Sequence, residues 1–169
     1  PKLHTPPTPN HQLPTHIHFY TKQQLQYIIQ LIASFQQTIL QLPHHHLHTI
    51  IPPYTHLQPP QPISFPHHII TYFSILETHK RTFIHTLKPI HISPLPPPPL
   101  TATTHPIHTH LTQQLLPFPN LYQNTLHPLT HRHYLLQTFH HISLTILHLS
   151  PFPQQIIFSS THHPKFITL

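Results

Sequence analysis

Glycine, cysteine, methionine and tryptophan are missing from this chain, and so are aspartate and valine. Each absence closes off a kind of chemistry. Without glycine the backbone cannot approach a phosphate closely, which removes P-loops and dinucleotide-binding turns. Without cysteine there are no disulfides, thiolate nucleophiles or thiolate metal sites, and no reading of the redox compartment. Glu77 is the single acidic residue. Paired-carboxylate acid–base chemistry, EF-hand loops and magnesium cages therefore cannot be built. A Ser-His-acid triad would have to recruit Glu77, which pairs more simply with Lys80 or Arg81 one helical turn away.

The missing residues share a cause outside folding. Gly, Val, Asp, Cys, Met and Trp all need guanine in their codons, as do Ala, Glu and Arg, which survive only as Ala33, Ala102, Glu77, Arg81 and Arg132. The abundant residues can all be spelled with C, A and T. Such a bias points to a strand-asymmetric organellar genome, a C-rich viral genome, or translation of a strand or frame never selected as protein. The chain opens on Pro1 rather than Met, as a fragment or a processed product would.

What remains is dominated by 25 histidines and 25 prolines, with charged residues at 5% against about 25% in an ordinary domain. The net charge of +6 comes from seven basic residues facing one acid. Those seven are dispersed and only Lys80 and Arg81 adjoin, so a nucleic-acid footprint is not expected. The first eighteen residues hold no apolar run of the signal-peptide kind.

Apolar spacing organises the middle of the chain. Residues 1–18 read as a Pro-rich extended arm, residues 19–149 as a helical region and 150–169 as a tail. Leu25, Ile28, Ile32, Phe35, Ile39 and Leu42 step three and four apart, which predicts a helix over 21–42, capped by Thr21 with Gln24 and stopped by Pro43. A second helix is expected over 66–88, with Ser64 as cap region, Pro66 in the first turn, and Ile69, Phe73, Leu76, Phe83 and Leu87 on one face. Two more are expected at 105–116 and 128–149, and a weak strand at Gln155–Phe158. The fold class is mostly α: three to four amphipathic helices in a loose bundle, joined by Pro-rich extended connectors at 50–66 and 91–104. No window gives the roughly 20 apolar residues a membrane span needs, although peripheral contact stays open.

Imidazole is the one abundant chemical group. His44, His45, His46 and His48 crowd into LPHHHLH, and His44 and His48 would share a helix face, a spacing that suits Zn, Ni or Cu. His105, His108 and His110 form a second group, and His127 with His131 a third. His133, His140, His141 and His148 recur along the last helix. Composition alone nearly produces such clusters: a run of three histidines is expected roughly 0.5 times in a chain this rich in them. Carboxylates that would orient metal-bound imidazoles are lacking. The 44–48 group is therefore read as an adventitious divalent-metal binder, with no cofactor expected. Pro96–Pro99 should form polyproline II, serving as a stiff spacer or as a ligand for an aromatic groove.

The sequence by itself points to a non-enzymatic structural or interaction component, with protein partners in a larger assembly. Two alternatives stand beside it: a His-rich divalent-metal-binding protein, and a translation product with no selected function.

Overall fold

One unbroken stripe explains the first element. Pro14, His18, Thr21, Leu25, Ile32, Gln36, Ile39 and Pro43 are all buried, three, four or seven apart, so one face of a helix is covered along its whole length. The computed structural model accordingly places helix α1 over Pro9–His45. The model describes residues 9–56, 58, 61–95, 111, 114–116, 118–122, 124 and 127–161.

After α1 come strands β1 (Ile50–Ile51) and β2 (Ile63–Ser64), helix α2 (Phe65–Ile90), strands β3 (Ile92–Ser93) and β4 (Asn120–Leu121), and helices α3 (His127–Thr130), α4 (His133–Leu149) and α5 (Pro151–Ser160). Strands β1 and β2 pair antiparallel, Ile50 opposite Ser64 and Ile51 opposite Ile63. Strands β3 and β4 pair parallel, Ile92 opposite Asn120 and Ser93 opposite Leu121. The chain is mostly helical, as its apolar spacing predicts.

The departures have local causes. The extended arm expected up to residue 18 is helical from Pro9 onward, because proline is tolerated in a first turn whose N–H groups have no helical acceptor. Pro14 and His18 then carry the buried stripe toward the N-terminus. Pro43 falls inside the last turn and does not stop the helix, and Leu42 is exposed rather than buried. Helix α2 matches its expected span within two residues. Ser64 Oγ accepts from His67 N at 3.4 Å, as a cap should. The strand expected at Gln155–Phe158 is part of α5, which Pro151 opens. The expected helix at 128–149 divides into α3 and α4, with His127 N bonded to Asn124 Oδ1 at 3.1 Å ahead of α3. Most of the helix expected at 105–116, and the proline run 96–99, lie outside the described residues.

Two compact units are interleaved along the chain, one formed by residues 1–28 and 83–139, the other by 29–82 and 140–169. In the first, Leu25, Phe83, Leu87, Ile90, Phe118 and Tyr134 form the apolar core. In the second, the buried apolar residues are Ile32, Ile39, Ile69, Tyr72 and Leu76. Each fully buried aliphatic side chain contributes about 1.5–3 kcal/mol.

Many helix positions carry Thr or Ser, and their hydroxyls turn back onto the carbonyl four residues earlier. Thr71 donates to His67 O, Ser74 to Ile70 O, Thr78 to Ser74 O and Thr138 to Tyr134 O, at 3.2, 3.3, 3.2 and 2.8 Å. This local bond lets hydroxyls sit on helices without other partners. The lack of glycine also leaves a mark. At the turn where Thr55 and Gln58 exchange backbone bonds of 3.1 and 2.9 Å, His56 takes φ 52°, a left-handed conformation that histidine tolerates better than most residues. No described helix is long and apolar enough to cross a membrane.

Candidate functional site

The second unit contains a cavity of about 290 Å3. Its walls follow from the elements around it. The β1–β2 pair and the bond from Phe65 N to Thr49 O, at 2.8 Å, fix the segment carrying His46, Thr49, Ile51, Pro52, Pro53 and Tyr54. Helix α2 contributes Phe65, His68, Ile69 and Tyr72, one face at helical spacing. Helix α5 contributes Phe152, Gln155, Ile156, Phe158 and Ser159.

Aromatic rings meet edge to face around it. Tyr72 and Phe152 lie 4.7 Å apart between centroids, Tyr54 and Phe158 5.5 Å, His46 and Phe65 5.5 Å, and His68 and Tyr72 5.9 Å. These offset geometries suit the ring quadrupoles and hold the walls in place. Polar groups are few. His46 Nδ1 stands 3.4 Å from Thr49 Oγ1, and Ser159 Oγ donates to Gln155 O at 2.6 Å. Burial lowers the His68 pKa below the ordinary imidazole value, and the neighbouring His67 lowers it further. Burial likewise raises the Tyr72 phenol. His68 is therefore neutral at pH 7 and able to accept a proton. No Lys, Arg or Glu lines the cavity.

Glu77 is engaged elsewhere in the same unit. It pairs with Lys80 and with Arg81 Nε at 3.1 Å, and accepts from Gln36 Nε2 at 3.1 Å. Gln36 also donates to Phe73 O at 3.3 Å and accepts from Lys80 Nζ at 2.8 Å. Hydrogen bonds from Lys80, then Gln36 and Arg81, hold the Glu77 pKa down at about 2. The carboxylate thus anchors α2 to α1, and the sequence expectation that it pairs with Lys80 or Arg81 agrees with this network. Nearby, buried His79 and exposed His148 share a ring-to-ring bond, Nε2 to Nδ1, of 2.9 Å.

The histidines singled out from sequence are distributed differently. His44 and His45 end α1, His48 lies in the following turn, and all four of His44, His45, His46 and His48 are exposed. Only His46 joins the cavity wall. His127 and His131 rings stand 4.8 Å apart, and His131 and His133 3.9 Å. Among the described residues, no three His or Glu side chains are grouped to hold a metal ion. The cavity residues His68 and Tyr72 lie off the α2 face expected from sequence, which runs through Phe73 rather than Tyr72. The signal available was the run Phe65, Ile69, Tyr72, Leu76, His79, Phe83, whose three-and-four spacing is more regular once polar-tipped residues count as buried.

Comparison with known proteins gives this arrangement a context. A family profile described as Lyase matches residues 1–168. The chain is 58% identical over 168 residues to argininosuccinate lyase of Staphylococcus epidermidis, covering 99% of this chain and 36% of that protein. It is 51% identical to argininosuccinate lyase of Staphylococcus haemolyticus and 49% to that of Staphylococcus aureus, again over 168 residues and 99% of this chain, with 36% and 37% of those proteins covered. The chain thus spans about a third of the length of the curated relatives it matches. Its backbone also superposes on a crystal structure of EDDS lyase in complex with formate, at TM-score 0.90 and 20% identity, over 97% of this chain and 33% of that one. An EDDS lyase variant with bound fumarate gives 0.89.

These matches overturn the expectation of a non-enzymatic structural component, and with it the metal-binding and unselected-frame alternatives. A strand or frame never selected as protein would not keep 58% identity to an enzyme across 168 residues. Missing residue types restrict the chemistry within a chain without erasing its descent from an enzyme. Enzymes of this kind need no cofactor, in agreement with the expectation of none.

Proposed function

The chain belongs to the lyase family, and from that premise we propose that it is the helical third of an enzyme that cleaves argininosuccinate. The observation that carries this reading is the 58% identity, sustained over nearly the whole chain, to an argininosuccinate lyase. A lyase breaks the bond between the succinyl carbon and the guanidine nitrogen by elimination. A base removes a proton from the carbon next to a carboxylate, the C–N bond breaks, the nitrogen leaves with a proton, and the succinyl part departs as fumarate. No water is consumed and no electrons change hands, so a positioned acid and base suffice.

The substrate carries several carboxylates, which require cationic partners. The cavity wall has none, so that cavity by itself offers those carboxylates no partner. The remainder of the longer enzyme, with further protein partners, would cover the large apolar side chains that the described residues leave exposed, among them Tyr20, Tyr27, Leu136, Phe139, Ile146 and Leu147.

A chimera tests the reading. The matching third of the Staphylococcus epidermidis enzyme is replaced by this chain, and fumarate release from argininosuccinate is followed by absorbance. Turnover above the background of the enzyme with that third deleted is expected, whereas the isolated chain should show none. A chimera that folds and assembles like its parent yet releases no fumarate would sink the proposal.

A further inference from the structure

The geometry points to the cavity of the second unit as a binding site for a small, neutral, flat bicyclic molecule carrying one hydrogen-bonding group, of which indole is the simplest probe. Size is the first argument. An apolar cavity of about 150 Å3 stays dry and takes up benzene, and this one is about 290 Å3, which suits two fused rings. Shape is the second. Tyr54 with Phe158, and Tyr72 with Phe152, present ring edges and faces at 5.5 and 4.7 Å, an array that receives another flat ring in offset or edge-on packing. Charge is the third. The wall contains no Lys, Arg or Glu, so an ionised ligand would lose its water without gaining a counter-charge. One polar contact is ready. His68 packs T-shaped with the Tyr72 ring and, among the described residues, makes no hydrogen bond, leaving its imidazole nitrogens to fix a ligand's N–H or O–H. Of the lining residues Ile69 and Tyr72 are buried, and His46 and Gln155 are exposed to solvent. Pockets of this make-up, mostly apolar with a few placed polar groups, are the usual sites for small organic ligands.

The proposal stands apart from the lyase reading, because an uncharged ring is not a substrate for that elimination. Since the chain contains no tryptophan, the fluorescence of added indole belongs to indole alone. Titration should give a saturable blue shift at one equivalent, with Kd of about 0.1–1 mM. Indole-3-acetate and tryptamine, which carry a charge on the same ring, should bind at least about tenfold more weakly. Ser159→Phe, which places a ring in the cavity, should weaken indole by about tenfold or more with circular dichroism unchanged. Should that variant not fold, intermolecular NOEs from indole to the Phe152 and Tyr54 ring protons in the unaltered chain decide the matter. Failure to saturate, equal binding by the charged analogues, undiminished binding by a folded Ser159→Phe, or absence of those NOEs each overturns the site. Binding by the chain that disappears in the chimera would show the cavity filled by the remainder of the longer enzyme, and would overturn it too.

Discussion

The two units bury polar groups in opposite ways. In the second, buried Gln36 is tied at both ends of its amide, to Phe73 O, Glu77 and Lys80. In the first, His18 and Tyr134 are almost wholly buried, their rings 4.2 Å apart; the Ile90 backbone is the polar group that bears on the His18 ring, and among the described residues the Tyr134 hydroxyl has no hydrogen-bond partner. The difference follows from where the one acid lies. A carboxylate can organise several donors around itself, whereas imidazole and phenol packed against rings cannot satisfy one another face on. A chain with one acid can build one such network around a carboxylate, and the His18–Tyr134 cluster is left mainly to aromatic packing.

Acid should break this comparison with the largest effect. Burial, reinforced by the charges of Arg132 and His133, lowers the His18 pKa from 6.5 to about 4, against the opposing influence of the Ile90 backbone. A histidine held neutral contributes stability that is fully present above its unfolded pKa and is lost as pH falls through 6.5 toward the folded value. At about 1.4 kcal/mol per pH unit, the first unit should lose up to about 3 kcal/mol between pH 6.5 and about 4. Burial lowers His91 and His133 in the same unit, and His68, His79 and His141 in the second, so both weaken over the upper part of this range. Glu77 acts later: its depressed pKa stabilises above 4.5, and that contribution fades as pH falls toward about 2. Hydrogen exchange between pH 7.5 and 4.5 should therefore show the first unit opening ahead of the second, and His18→Leu should remove most of the difference. Equal opening of both units would contradict the account.

Gln36→Ala should come next. It removes three bonds, two of them to charged groups, from a side chain that is 3% exposed, and should cost about 2 kcal/mol. Urea unfolding at pH 7 measures it; a loss below about 0.5 kcal/mol would show that water replaces the amide freely.

Tyr134→Phe sharpens the contrast from the other side. Removing an unpartnered buried hydroxyl should stabilise the chain by about 1 kcal/mol, readable as a higher midpoint in the same titration. A destabilised variant would mean that the hydroxyl is satisfied after all. The smallest effect is expected at Arg81, whose side chain is 73% exposed beside Glu77. Arg81→Ala should leave the midpoint unchanged within error, because exposed ion pairs contribute little.

The helices were legible because apolar period survives a change of alphabet. Leu25, Ile32 and Ile39 fall where the three-and-four spacing puts them, and Ser64 with Pro66 opens α2 almost where capping chemistry predicts. The start of α1 was not legible, since Pro9 and Pro14 read locally as extended chain, and only the buried stripe through His18 and Thr21 reveals the helix. The cavity was hidden for a related reason. It brings Tyr54, Tyr72 and Phe152 together from three stretches far apart in the chain, and no local pattern encodes that meeting.

The sequence by itself determined the helical class, the exclusion of thiol and paired-carboxylate chemistry within these 169 residues, and the position of the one carboxylate beside two cations. Those are properties of residue identity and of spacing within single helices. Tertiary structure alone decided which histidines are buried, that His46 rather than His44 or His48 borders a cavity, and that Gln36 and Glu77, far apart in sequence, share a bond. Such contacts depend on which helix faces meet, and a face is chosen by the burial of the whole stripe rather than by any residue on it.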